Sequence, residues 1–304
     1  MKNKLFKIGI IFLVFTISSC GQNKAELDVE MFNEFKLLDR VETLSSDKFE
    51  GRRTGEKGND SARAYIIREF KSLNVSGFEN GFEQPFTFES RSKTYDGVNI
   101  LAEIKGTEAP EKYIVISAHY DHLGIRNGKI YNGADDDASG VSALISFAEY
   151  LVKNPPKHSV ILAAFDAEEL GLRGAKHFVK TLDTSSILVN LNMDMISRSS
   201  KDELYVVGAR YSEWLRAIID GFENPTTSKL LEGHDGTDGK QDWTMSSDHG
   251  PFHSVKIPFL YFGNEDHAAY HKPTDDFKDI TPAFYIDAVK IILSVFEAID
   301  ASEL

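Results

Sequence analysis

Apolar positions recur along this chain in two rhythms. Val29, Phe32, Phe35, Leu38 and Val41 recur at a helical spacing. Ala62, Ile66, Phe70 and Leu73 lie on one stripe. Both predict amphipathic helices, over about 29–41 and 61–73. The stretch between them, "EGRRTGEKGND" at 50–60, reads as a solvated loop carrying Arg52 and Arg53. Beyond it, short unbroken apolar runs alternate with helical segments. "GVNILAEI", "KYIVISAHY", "HSVILAAFDAEE", "SILVNLNMDMIS", "ELYVVGA" and "KIPFLYFG" read as strands. "SGVSALISFAEYLVK", "RGAKHFVKTL", "YSEWLRAIIDGF" and "TPAFYIDAVKIILSVFEAI" read as helices, with Ser139 the N-cap candidate of the first. Strands apolar on both faces, interleaved with helices, predict a largely parallel sheet covered on both sides. Residues 222–250 show no period.

The first twenty residues follow a different logic. Lys2, Lys4 and Lys7 precede an apolar run from Ile8 to Ile17, too short to span a bilayer and suited to a secretory signal peptide. "ISSC" resembles the lipobox of bacterial lipoproteins. The expectation is cleavage after residue 19 and acylation of Cys20, then a polar tether over 20–27 and one domain over 28–304. Gly21, rather than Asp, after the anchored cysteine points to the outer membrane, facing the periplasm. Cys20 is the single cysteine, so the folded chain holds together by packing alone. With 34 basic against 47 acidic residues the net charge is −13. That excess disfavours nucleic acid or an anionic membrane as partner, leaving the lipid anchor as the expected membrane contact, and it is compatible with a cation ligand.

The candidate chemistry gathers where strands end. "IVIS" runs out into His119, Tyr120, Asp121 and His122, and "ILAAF" into Asp166, Glu168 and Glu169. "VNLNM" ends at Asp194, and "PFLYF" leads through "GNEDHAA" to Tyr270 and His271. Open α/β sheets bind ligands beyond the carboxyl ends of their strands, so these exits are expected to converge. "NGADDDASG" (132–140) adds three adjacent carboxylates, Asp135, Asp136 and Asp137, which repel one another unless a cation sits among them. Imidazole mixed with carboxylate suits zinc better than calcium or magnesium. Two histidines with three or four acids exceed one tetrahedral ion and fit two ions sharing a carboxylate.

In order, "SAHYDHLG", "NGADDDASG", "FDAEELGLRGA", "NLNMDM" and "YHKPTDD" resemble the motif series of the co-catalytic dizinc aminopeptidases, peptidase family M28, which also includes glutamate carboxypeptidase-like exopeptidases. "EGRRTG" and "SDHGPF" are weaker echoes. The resemblance implies the zinc exopeptidase fold, a single-domain three-layer α/β/α sandwich with a mixed, largely parallel sheet. It implies that His119 and Asp194 hold one zinc, Glu169 and His271 the other, and that Asp136 bridges them, followed by a cis peptide. Asp121 would orient His119, Asp275 would be the equivalent acid behind His271, and Glu168 would be the general base. Tyr270 is a candidate for oxyanion or substrate contact, and His249 for the pocket wall or for holding its loop.

The implied activity is removal of N-terminal residues from peptides bearing a free amine. Three alternatives stand beside it: a single-zinc glutaminyl cyclase-like enzyme, a carboxypeptidase or dipeptidase of the same fold, and a non-enzymatic binding lipoprotein. His122, His158, His177, His234, His253 and His267 have no spacing argument and read as surface or structural. Trp243 and Phe252 read equally as pocket lining or packing.

Overall fold

The computed structural model describes residues 31–79 and 81–302. The leader and Cys20 lie outside them. In chain order the elements are α1 (Glu34–Leu44), α2 (Lys57–Ser72), β1 (Ser76–Gly77), β2 (Glu83–Ser90), β3 (Lys93–Ile104), β4 (Ala109–His119), β5 (Gly124–Arg126) and β6 (Lys129–Tyr131). There follow α3 (Gly140–Lys153), β7 (His158–Phe165), α4 (Arg173–Thr181), β8 (Ile187–Met193), β9 (Glu203–Val207), α5 (Glu213–Asp220), β10 (Lys229–Glu232), α6 (His249–Ser254), β11 (Phe259–Gly263) and α7 (Pro282–Ala301).

One sheet organises the molecule, in the order β1-β3-β7-β4-β8-β11-β9-β10, with β2 paired to β3. β7, β4, β8 and β11 run parallel to one another. β3 joins this block antiparallel on one side and β9 on the other. Strand alternation sends successive side chains to opposite faces. Ile114 and Ile116 pack in one apolar cluster with residues of α1, α2, α3 and α7, while Val115 packs in another with α4 and α6. A central sheet with helices on both faces is the three-layer, mixed and largely parallel arrangement expected. β3 is longer than the predicted run, and β1, β2, β5 and β6 had no readable signal. The stretch 222–250 holds β10 and the start of α6.

Because β4, β7, β8 and β11 are parallel, their carboxyl ends lie along one edge. His119 ends β4, Asp166 follows β7, Asp194 follows β8, and the chain after β11 leads to His271. Register fixes the depth of these exits, with His119 opposite Phe165 and Phe262 opposite Met193. The backbone N–H of Asp194 donates to the carbonyl of Phe262 at 3.1 Å. Among the described residues no helix is long and apolar enough to cross a membrane.

Candidate metal centre

The three aspartates of the loop before α3 are all buried, and they take three different jobs. Asp135 accepts from the Ser197 amide (2.7 Å) and hydroxyl (2.8 Å), the Asn264 side-chain amide (3.1 Å) and His267 Nε2 (3.0 Å). Asp137 accepts from the amides of Gly140 (2.8 Å), His119 (3.2 Å) and Met195 (3.3 Å). It thereby caps α3, and Ser139, the expected N-cap, instead donates its hydroxyl to the Asp135 carbonyl at 2.7 Å. The cap moved because the chain enters the helix through an irregular turn, with Ser139 itself already helical. A Cβ on Gly140 would come within 2.5 Å of the Asp137 carboxylate, so only glycine leaves this cap in place.

Asp136 alone keeps both carboxylate oxygens for other partners. Oδ1 lies 3.2 Å from His119 Nε2, which is itself 3.6 Å from Asp194 Oδ1. Oδ2 lies 3.2 Å from His271 Nε2 and 3.7 Å from His122 Nδ1. Glu169 Oε1 completes the second group, 3.5 Å from His271 Nε2 and 2.9 Å from His122 Nδ1. The peptide from Asp136 to Asp137 is cis. Two clusters, each of imidazole and carboxylate, thus share one aspartate.

The donor set fits two divalent cations. A tetrahedral ion with bonds of about 2.0–2.1 Å separates its ligand atoms by roughly 3.3–3.4 Å, close to the spacings seen here. His122 Nδ1 and Glu169 Oε1 are buried without a hydrogen-bond partner among the described residues, although such groups are costly to leave unmet. Asp137 also falls within ligand range of His119 and Asp194, but backbone amides already occupy its oxygens.

Electrostatics follow the same division. Burial pushes Asp136 up, but the facing His122, His119 and His271 hold it well below the usual carboxylate range. Burial would lower His119, yet Asp194 and the contacts to Asp121 and Asp136 raise it well above an ordinary histidine. Glu168 is raised well above its usual value by burial first, then by Asp248, Asp194 and Glu169, against the opposing effect of His119. It lines a cleft of about 330 Å³ together with His119, Asp136, Glu169, Asp194 and His271. Leu172, Met195, Trp243, Met245 and Tyr270 form much of the remaining wall. A slightly larger cleft of about 370 Å³ meets this one at Asp266 and is lined by Arg198, Lys201 and Glu203.

Several residues sit differently from expectation. The Asp121 carboxylate is 3.7 Å from His119 Nδ1, and the closer contact is its backbone carbonyl at 3.1 Å. The carboxylate instead accepts the amides of Glu168 (2.9 Å) and Glu169 (3.4 Å), fixing the turn that carries them. Asp275 accepts from the amides of Asp135 (3.1 Å) and Asp136 (3.1 Å), so it grips the aspartate loop where an acid behind His271 was expected. His249 is fully buried, bonds the Trp243 carbonyl through Nε2 at 2.9 Å and stacks on Phe259 and Tyr261. It is a loop-holding residue outside the cleft, and burial drives it down to about 4. Phe252 belongs to the core with Phe165 and Phe178. Tyr270 stacks on His271 at 3.9 Å and lines the cleft.

Arg52 is no solvated residue, being 1% exposed. Its guanidinium donates to the carbonyls of Tyr120 (2.9 Å), Leu44 (2.8 Å), Asn132 (2.6 Å) and Gly133 (2.9 Å). Sequence reasoning missed His122, whose Nδ1 lies 2.9 Å from Glu169 Oε1, and Asp248. Asp248 is buried with neither oxygen bonded among the described residues, and burial with Asp121 and Asp194 raises it to about 8. The available signals were the His-x-x-His spacing of 119 and 122 and the "SDH" triplet.

The profile of peptidase family M28 matches residues 99–296, and the chain belongs to that family. It is similar to a probable zinc metalloprotease of Leptosphaeria maculans, 36% identical over 129 residues, 40% of this chain and 29% of that one. It is also similar to aminopeptidase YwaD of Bacillus subtilis, 30% identical over 203 residues, 61% of this chain and 41% of that one. The chain therefore spans well under half the length of these curated relatives. Among solved structures it resembles the glutaminyl cyclase of Porphyromonas gingivalis, with TM-score 0.69, 16% identity and coverage of 88% and 99% of the two chains. That likeness is one of fold.

Proposed function

We propose that this chain is an exported, lipid-anchored aminopeptidase that uses two zinc ions to release N-terminal residues from peptides. The observation that carries the reading is the division of labour in the aspartate loop. Asp135 and Asp137 are consumed by hydrogen bonds, and Asp136 turns one oxygen to each imidazole–carboxylate cluster. His119, Asp194 and Asp136 would hold one zinc, and Glu169, His271 and Asp136 the other. Bound there, the ions would supply Lewis acidity toward a water and toward the scissile carbonyl.

The chain's own residues do the rest. Glu168, on the cleft wall, takes the proton of the attacking water and returns it to the leaving amine. Its amide is anchored by Asp121 at 2.9 Å, which fixes where the carboxylate can reach. The substrate's free α-ammonium finds complementary charge in Glu168, Asp194 and Asp266 along the same wall. Leu172, Met195 and Met245 offer apolar surface to its side chain. The leader and Cys20 support export to the bacterial envelope and anchoring there, on sequence grounds.

Hydrolysis of a panel of amino-acid p-nitroanilides, with chelator and with zinc added back, tests the reading. Activity that needs a free amine, disappears with chelator and returns with zinc is expected. Cyclisation of an N-terminal Gln peptide without hydrolysis, or preference for a blocked N-terminus, would overturn it.

A further inference from the structure

The second cluster contains an imidazole that the motif series does not assign. We propose that His122 binds the second ion through Nδ1, giving that ion four protein ligands: His122, His271, Glu169 and the shared Asp136. This rests on the two-ion reading above.

Three observations support it. The Nδ1 atom is placed as a ligand atom would be, 2.9 Å from Glu169 Oε1 and 3.7 Å from Asp136 Oδ2, on the same two oxygens that His271 Nε2 approaches at 3.5 and 3.2 Å. Despite the 2.9 Å separation, neither His122 Nδ1 nor Glu169 Oε1 makes a hydrogen bond of acceptable geometry, and both are buried. Two buried donor atoms this close and without a hydrogen bond are what a cation between them would hold. Third, the seat of the ring is built. Gly133, at φ +58, lies against the imidazole so closely that a Cβ there would sit 2.6 Å from His122 Cδ2. The amide of His122 is held by the Arg52 carbonyl at 3.3 Å.

The consequence is inequality between the two sites. Four protein ligands close a tetrahedral ion, whereas three leave a position open. His119, Asp136 and Asp194 are three. The open position therefore falls on the His119 side, and the His122 side becomes the tighter, first-filled site.

Titration of the metal-free full chain with Co(II), followed by calorimetry and by proton NMR of paramagnetically shifted, exchangeable imidazole N–H signals, tests this. At two equivalents the native protein is expected to show three such signals, from His119, His122 and His271. His122→Asn is expected to show two and to weaken the tighter binding step by at least about tenfold, since even outer-shell partners of a metal commonly contribute 10–100-fold. Two signals from the native protein, or an unchanged tight step in His122→Asn, would overturn the proposal. Uptake of fewer than two ions by the native protein would instead sink the two-ion reading. If circular dichroism shows that His122→Asn does not fold, the signal count of the native protein decides alone.

Discussion

Glu168 and Glu169 are neighbours in sequence with opposite surroundings, and the difference is testable. Glu169 faces the imidazoles of His122 and His271, while Glu168 lines the cleft with no such pairing. Glu168→Gln is therefore expected to lower kcat by about 10²–10⁴-fold, the usual worth of a general base, while zinc content by mass spectrometry stays at the native value. Glu169→Gln is expected to lose zinc from the second site. A Glu168→Gln protein that loses an ion would make Glu168 a ligand and remove it as the base. The same scale explains what the sequence could not show. Asp135, Asp136 and Asp137 are chemically identical in the string, and only the placement of Ser197, Asn264 and the α3 amides decides which one stays available.

At the scale of elements, the parallel strands were legible because apolar runs of four to six residues, bounded by polar residues, have few other uses. "IVIS", "ILAAF" and "VNLNM" stop where side chains change character, and those stops are the site. The stretch 222–250 was opaque because its order comes from local side-chain turns. Asp235 accepts the Thr237 amide, Asp238 the Lys240 amide and Asp242 the Thr244 amide, none of which repeats at a helical or strand period. At the end of this stretch His249 begins α6, and its buried ring is driven down to about 4. The unfolded chain takes up that proton near 6.5. The neutral ring thus contributes stability that is complete above 6.5 and is lost as pH falls toward 4. Between pH 7 and 5 this amounts to about 2 kcal/mol. His249→Phe keeps the stacking and cannot protonate, so its urea midpoint, measured on chelator-stripped protein, is expected to fall less over that interval. An equal fall in both proteins would refute the assignment.

On the scale of the whole molecule, the metal loop is fastened from both ends of the chain. Arg52 holds the carbonyls of Asn132 and Gly133 from the front, Asp275 holds the amides of Asp135 and Asp136, and the Tyr285 hydroxyl donates to the Ser139 carbonyl at 2.6 Å from the back. None of these contacts leaves a mark in local sequence pattern, which is why Arg52 read as a loop residue. Arg52→Met would leave four carbonyls short of a donor, at an expected cost of about 2–4 kcal/mol. Thermal unfolding of the metal-free protein should show it, together with weaker zinc binding by calorimetry. A variant with native stability would mean water replaces the guanidinium without loss.

Fastening by Arg52, Asp275 and Tyr285 also sets an order of events. A chain made from its amino end carries the aspartates long before the residues that fasten them exist, the last of which is Tyr285. Until the segments carrying Ser197, Asn264 and Asp275 dock, Asp136 has no reason to differ from its neighbours. The finished pocket depends on segments far from the loop in sequence, so whichever compartment hosts the final collapse also determines which ions are there to be captured.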